Sequence, residues 1–360
     1  MTKEEINQAM WACTHFLAGH YPRTVAQRMQ EIADSPYAQH RSDMYGNGGF
    51  VAIVEQELAE LFGKEAAVFM PSGTMAQPIA LRIWADRQQN QIVAFHPKCH
   101  LQCHEHMAYQ ELHSLNAVLL GEEDRLFTLE DFQQVKEDIG TLLIELPQRD
   151  LGGALPSWED LQEIMHEARN KGAKLHLDGA RIWECQPFYN RSLAEMTAGF
   201  DSVYASFYKI LGGLPGAILA GPADFIAEAR IWMRRQGGNL PYMFPNAIAA
   251  KIGMDRHLPR ISKYVAKANE IGEALNSIEG IRVLPHPTQT NMMHLEFDAP
   301  KDALIEASIQ LAVTEKCSLI SYFIADSDVA RTEISIGEAA LDIPTEKIKE
   351  IFTEMMRVSR

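Results

Sequence analysis

Along the chain, short unbroken apolar runs alternate with longer stretches in which apolar residues recur every three or four positions. The first kind fits a strand buried on both faces, and the second fits an amphipathic helix. FVAIVEQELAELF over 50–62 predicts a helix stopped at Gly63, and AAVFM at 66–70 predicts a buried strand stopped at Pro71. MAQPIALRIWAD then reads as helix, QIVAFH as strand, LQCHEHMAYQEL (101–112) as one helix and NAVLLG as strand. The alternation continues through TLLIEL (141–146), a helix near 157–171, AKLHL (173–177), SVYASF (202–207) and AILAG (217–221). Strands separated by helices imply an α/β fold with a mostly parallel sheet covered on both faces.

Outside this region the pattern changes. Residues 1–40 read as a helical N-terminal arm, with Ile6, Met10, Phe16 and Leu17 at roughly helical spacing ahead of a break at Tyr21-Pro22. A Gly-Gly-Asn-Leu-Pro stretch follows Arg235, and a long helical region covers 246–278. Strands follow near 281–284, 292–297 and 332–336, and 344–358 reads as a closing helix. The predicted organisation is an arm (1–40), a large α/β domain (41–245), and a long helix with a small C-terminal α+β domain (246–360).

Charge narrows the partners. With 33 basic against 48 acidic residues the formal charge is −15, which repels phosphate backbones and anionic membrane surfaces. No nucleic acid and no membrane partner is expected. The opening MTKEEINQAM lacks the basic start and apolar run of a signal peptide, and no stretch reaches the ~18 apolar residues of a membrane span. Five scattered cysteines (Cys13, Cys99, Cys103, Cys185, Cys317) fit reduced thiols, so a cytoplasmic protein is expected.

The sequence has no G-x-G-x-x-G after a strand, no phosphate-loop motif and no G-x-S-x-G elbow. Three other features carry chemistry. The strand AKLHL delivers Asp178 at its carboxyl end, where open α/β sheets bind ligands; Asp-Gly is also ordinary turn chemistry. SVYASFYKILGG ends a strand with Lys209 among apolar neighbours, which would lower its pKa and suit imine formation. A lysine snorkelling to solvent reads the same way. Pro71-Ser72-Gly73-Thr74 joins a strand to a helix, an arrangement that offers hydroxyls and free N–H groups to a phosphate or simply caps the helix. In this order on one sheet, an anion cup, a strand-end carboxylate and a strand-end lysine describe a site for pyridoxal 5′-phosphate (PLP).

The runs KEAAVFMPSGTMAQ (64–77), LHLDGARIW (175–183) and SFYKILGG (206–213) resemble the threonine aldolase and β-eliminating lyase family of fold-type I PLP enzymes, which are aspartate aminotransferase-like. The likeness covers about residues 20–340. It implies that Lys209 is the Schiff-base lysine, that Asp178 partners the pyridine nitrogen, and that Ser72, Gly73 and Thr74 form the phosphate turn, with Ser206 also near the phosphate. His100 matches the histidine stacked on the cofactor ring and is the candidate base, with His104 second. Arg181 and Arg331 match arginines that grip the substrate carboxylate, and Arg181 is also counted with the cofactor contacts. Tyr45 matches a tyrosine contributed by the neighbouring subunit.

The chain departs from the family pattern in places. Ala18-Gly19-His20-Tyr21-Pro22-Arg23 stands where an Arg-Ser-Asp-x-x-Thr motif is usual, and Pro241 replaces a phosphate-contacting arginine. Glu145-Leu146-Pro147-Gln148-Arg149-Asp150 replaces a Glu-Asn-Thr motif, which directs Gln148 and Arg149 toward substrate. The resemblance implies a lyase that splits a β-hydroxy-α-amino acid of the L-threonine or L-allo-threonine type into glycine and an aldehyde, in a homodimer or homotetramer. The alternatives are β-elimination of an amino acid bearing a leaving group and, in another class, a non-catalytic PLP-fold or zinc-binding protein. Cys99 with Cys103 and His100 with His104 have chelating i, i+4 spacing, but a zinc site needs ligands from a second element and His100 is matched to the ring, so no metal is expected.

Overall fold

The computed structural model describes residues 11–325, 327 and 329–360. Contacts divide the chain into two compact units. The larger comprises Ala26–Asp150 and Leu155–Pro259; the smaller comprises the described residues through Val25, Leu151–Ala154 and Arg260–Arg360.

The larger unit is built on seven strands: β1 (Ala66–Met70), β2 (Ile92–Phe95), β3 (Asn116–Leu119), β4 (Thr141–Glu145), β5 (Lys174–Asp178), β6 (Ser202–Ser206) and β7 (Ala217–Gly221). Their order in the sheet is β1-β7-β6-β5-β4-β2-β3. All run parallel except β7, which is antiparallel to both its neighbours. β4, β6 and β7 are buried at every position, and β5 at all but Lys174, as their continuous apolar runs require when helices cover both faces. Register places Glu145 opposite Asp178 and Asp178 opposite Tyr204, so the carboxyl ends of the central strands form one edge.

Helix α1 (Gly49–Leu61) ends at Gly63 as its pattern predicts, and α2 (Gly73–Gln88) begins at Ser72, whose side chain accepts from Met75 N at 3.2 Å. The helix expected over 101–112 is instead two short ones, α3 (His100–Cys103) and α4 (Ala108–His113). His106 and Met107 take left-handed backbone between them (φ 49° and 53°), which stops the first helix and starts the second.

The helical run expected over 246–278 is likewise two helices, α5 (Phe244–His257) and α6 (Ile261–Asn276), broken at Leu258-Pro259-Arg260. Pro259 lacks an N–H and its ring crowds the preceding turn, which favours a break there. The units part at this break rather than at 245/246, because α5 stays with the larger unit, where Lys251 pairs with Glu57 of α1 at 2.5 Å.

The smaller unit has an antiparallel three-stranded sheet of β8 (Ile281–Leu284), β9 (Met292–Phe297) and β10 (Ala330–Ser335), with β9 central. Leu151–Ala154 joins it through a tight approach: Gly153 (φ 84°) sits where a Cβ would come within 2.3 Å of Met292 Cγ. The arm expected over 1–40 is not one helix. Ile6 and Met10 lie outside the described residues. Phe16 lies on a two-residue strand, His15–Phe16, parallel to Cys317–Ser318, and the helix Val25–Asp34 follows beyond the Tyr21-Pro22 break. Leu17 is buried in the smaller unit's core. Among the described residues no helix is long and apolar enough to cross a membrane.

One buried carboxylate ties two loops of the larger unit together. Asp43 accepts from Gly46 N (3.0 Å), Met243 N (2.9 Å) and Phe244 N (2.9 Å), which satisfies donors at the start of α5. Asp43→Ala leaves three N–H groups unpaired, those of Gly46 and Met243 buried, and should lower stability by about 3 kcal/mol, read as a lower urea midpoint. An unchanged midpoint would show that these contacts are dispensable.

Candidate active site

The chemistry-bearing residues sit along the carboxyl edge of the sheet. β1 leads into the turn Pro71-Ser72-Gly73-Thr74 and the start of α2, with Ser72 half-buried in its capping role and Thr74 exposed and facing the cleft. Gly73 is required by space. A Cβ there would lie 1.9 Å from Tyr204 Oη, so the turn lies directly against the buried tyrosine of β6. Ser206, last in β6, donates its hydroxyl to Ala180 O at 2.8 Å.

Asp178 ends β5 with only 1% of its surface exposed. Its Oδ1 accepts from Ala180 N at 3.0 Å and its Oδ2 from Gln77 Nε2 at 2.5 Å. The half-buried Lys209 follows β6, its Nζ 5.7 Å from the centroid of the Tyr208 ring. Burial and then the nearby Arg181 guanidinium lower the Lys209 pKa to about 8, with Asp178 and Glu145 acting in the opposite direction. Both lysine and aspartate line one cleft with Arg181, Thr74, His100 and Tyr208.

The break between α3 and α4 has a direct consequence for His100. On a continuous helix residues five apart point about 140° away from each other. Here the chain turns back, and Glu105 Oε1 accepts from His100 Nδ1 at 2.9 Å. A carboxylate only accepts, so Nδ1 carries the proton and Nε2 of the neutral ring carries the lone pair. Burial alone would lower the His100 pKa, but the Glu105 hydrogen bond and the charges of Asp178, Glu105 and Glu145 outweigh it and raise it. Glu145 accepts from His100 N (3.1 Å), Gln148 Nε2 (3.2 Å) and Arg149 N (3.1 Å). Burial, and then the Asp178 charge beside it, push its carboxyl pKa up.

The structure thus brings Thr74, His100, Asp178, Arg181 and Lys209 to one cleft, with Ser72, Gly73 and Ser206 immediately behind its wall. Gln148 is not among the lining residues. It is buried, and its amide donates to Lys98 O (2.9 Å) and Glu145, which fixes the loop after β4 instead of facing substrate. Tyr45 is half exposed on the loop anchored by Asp43, with φ 53° and its N–H on Pro241 O at 2.9 Å. Arg331 lies on β10 of the smaller unit, where its Nε donates to Glu296 Oε1 at 2.9 Å. His104 Nε2 lies 2.8 Å from Asp150 Oδ2 and 3.1 Å from Arg149 Nη1. Among the described residues, the His and Cys side chains of 96–106 do not gather into a three-ligand set.

Sequence reasoning passed over Gln77, Glu105 and Glu145 as lining residues, and Tyr204 and Tyr208 with them. It also passed over His176, although strand alternation puts that residue on the same face as Asp178.

The family model described as β-eliminating lyase matches residues 24–298. The chain belongs to the β-eliminating lyase family. A Listeria monocytogenes structure, provisionally named an L-allo-threonine aldolase, is 38% identical with a TM-score of 0.93 over 98% of this chain and 99% of that one. An Exiguobacterium structure, provisionally named an aromatic amino acid β-eliminating lyase/threonine aldolase, is 37% identical with the same TM-score and the same coverage of 98% and 99%. Low-specificity L-threonine aldolase 1 of Arabidopsis thaliana is 26% identical over 271 residues, 72% of this chain and 75% of that protein. The architecture is that of the fold-type I PLP enzymes, and this family member is a PLP-dependent lyase.

The residues present fit that cofactor. A helix start preceded by Ser72 and Gly73 suits a phosphate, and a buried carboxylate at a strand end suits a protonated ring nitrogen. A lysine with its pKa near 8 suits covalent capture of an aldehyde. In the cofactor-free lyase, the rate at which Lys209 captures added PLP, trapped with borohydride, should therefore rise with pH through about 8. A midpoint near the ordinary 10.5 would contradict the effect of burial.

Proposed function

We propose that this lyase cleaves a β-hydroxy-α-amino acid of the L-threonine or L-allo-threonine type to glycine and an aldehyde. The observation that carries the reading is the pairing, in one cleft, of Lys209 and Asp178 with a histidine whose Nδ1 is fixed by Glu105. The 38% identical Listeria protein with its aldolase name supports the same direction.

In this reading Ser72, Gly73, Thr74 and Ser206 hold the phosphate of PLP, Asp178 holds the ring nitrogen as a protonated group, and Lys209 is the residue that tethers the cofactor. Bound PLP supplies an electron sink for the carbanion left at Cα. Arg181 forks onto the substrate carboxylate and fixes the orientation of the Cα–Cβ bond. His100, in the lining of the cleft, would take the β-hydroxyl proton at Nε2, the nitrogen that Glu105 leaves with a lone pair. The positive charge then formed on His100 is balanced by Glu105, which is buried and already bonded to the ring. Gln148 is assigned to the loop scaffold, and Arg331 donates its Nε to Glu296 on the neighbouring strand.

The reading includes a homodimer or homotetramer. Met44, Tyr45, Leu240 and Tyr242 expose apolar side chains on two loops joined by the Tyr45–Pro241 hydrogen bond, as a self-associating surface would. Five scattered free thiols support a cytoplasmic setting.

Incubation with L-threonine and L-allo-threonine should give glycine and acetaldehyde in equal amounts, and Lys209→Ala should remove this activity. Pyruvate and ammonia as the main products would replace the aldol reading with β-elimination. The pH profile tests His100 separately. Base catalysis needs the neutral ring, so kcat/KM should fall as pH drops through the raised His100 pKa. Glu105→Gln removes charge that favours the protonated ring and should move this acidic limb to lower pH. A limb that stays in place would take His100 out of the base role.

A further inference from the structure

A continuous run of hydrogen bonds starts in the core behind the cleft and ends on the cleft-lining Gln77 and Asp178. Trp84 Nε1 lies 2.8 Å from Ser202 Oγ, and Ser202 Oγ lies 2.8 Å from His176 Nδ1. His176 Nε2 lies 3.2 Å from Gln77 Oε1, and Gln77 Nε2 lies 2.5 Å from Asp178 Oδ2. Every member is buried, and the run crosses three elements: α2 gives Gln77 and Trp84, β5 gives His176 and Asp178, and β6 gives Ser202.

The two ends fix the direction of every proton between them. An indole N–H can only donate, and a carboxylate can only accept. Gln77 therefore gives its NH₂ to Asp178 and can only accept at Oε1, so His176 donates from Nε2. Its neutral ring carries the lone pair on Nδ1, which takes the Ser202 hydroxyl while Ser202 accepts from Trp84. A proton added at His176 Nδ1 would turn the Ser202 hydroxyl away, leaving its oxygen to accept from both His176 and Trp84 and ending the one-way order. Burial independently lowers the His176 pKa, to about 4, against the one nearby charge that raises it, Asp178. A protonated Asp178 Oδ2 would likewise set hydrogen against hydrogen at Gln77.

We propose that Gln77, His176 and Ser202 are positioning residues, a one-way donor relay anchored at Trp84 that holds Asp178 ionised and aimed at the ring nitrogen of PLP. The proposal rests on the cofactor role given to Asp178 above. Gln77 alone could swing away from Asp178 through its flexible side chain. With His176 fastened at the other end of its amide, it is held to one orientation, so the Asp178 carboxylate keeps a donor on each oxygen, Gln77 on Oδ2 and Ala180 N on Oδ1.

Two readouts test the relay. In the cofactor-free protein, nitrogen NMR should show His176 as the Nε2–H tautomer alone, without titration between about pH 5 and 8. Ser202→Ala removes one oxygen and should mix the tautomers and weaken PLP binding at least about threefold, whereas Ser202→Thr, which keeps the hydroxyl, should restore both. Gln77→Leu should raise the PLP Kd about tenfold and lower kcat more than it changes KM, because a hydrogen bond to a charged group is lost. An Nδ1–H tautomer in the wild type, or Ser202→Ala and Gln77→Leu proteins that bind PLP within about twofold of wild type, would overturn the relay. If Gln77→Leu does not fold, the two Ser202 variants decide the matter. A wild type that binds no PLP would overturn the cofactor reading instead, while the His176 tautomer would still test the relay.

Discussion

The site depends on keeping one carboxylate charged inside the protein. Asp178 lies almost fully buried at the end of a central strand, where an unpaired charge would be costly. Two hydrogen-bond donors hold its oxygens, and Arg181 and Lys209 line the same cleft. Much of the local electrostatics follows from that placement. Glu145, opposite Asp178 in register, is pushed toward its protonated form first by its own burial and then by the charge of Asp178 beside it. Lys209 is pulled the other way: burial lowers its proton affinity, and the negative charge of Asp178 limits the fall, leaving a group that is partly neutral near physiological pH.

The fold delivers these groups through the direction of its strands. β1, β2, β4, β5 and β6 all run the same way, so the turn at Ser72, the loop carrying His100, and the strand ends at Glu145, Asp178 and Ser206 emerge along one edge. β7 reverses and supplies none of the lining residues. This is the general logic of open α/β sheets, in which loops after the carboxyl ends converge on a ligand. Here the convergence also depends on a close approach, because the turn at Gly73 can lie against Tyr204 only in the absence of a side chain.

Much of this was legible in the sequence where the signal is local. The seven sheet strands follow from apolar runs of four to six residues between breakers, and Asp178, Lys209 and the Ser72 turn stand out because each ends or follows such a run. What was not legible depends on partners distant in sequence. Nothing periodic in LQCHEHMAYQEL announces that residues 104–107 turn back, since the reversal is fixed by left-handed backbone at two non-glycine residues and brings Glu105 to His100. Gln148 stood as a substrate contact because it falls in the segment that replaces the family's Glu-Asn-Thr motif; the structure uses it to pair Lys98 O and Glu145. The helix break at Pro259 was within reach, because proline inside a helical pattern is a local signal.

Two histidines near one carboxylate illustrate how environment divides roles between identical side chains. His100 is half-buried, faces Glu105, Asp178 and Glu145, and has its proton affinity raised. His176 is fully buried between Gln77 and Ser202, and its proton affinity is depressed, leaving it neutral across the physiological range. A base must gain and lose a proton near the working pH, and a relay member must do neither. The same ring therefore serves exchange at the cleft surface and fixed polarity behind it, and the difference lies in whether its partners are carboxylates or neutral groups whose own protons are already committed.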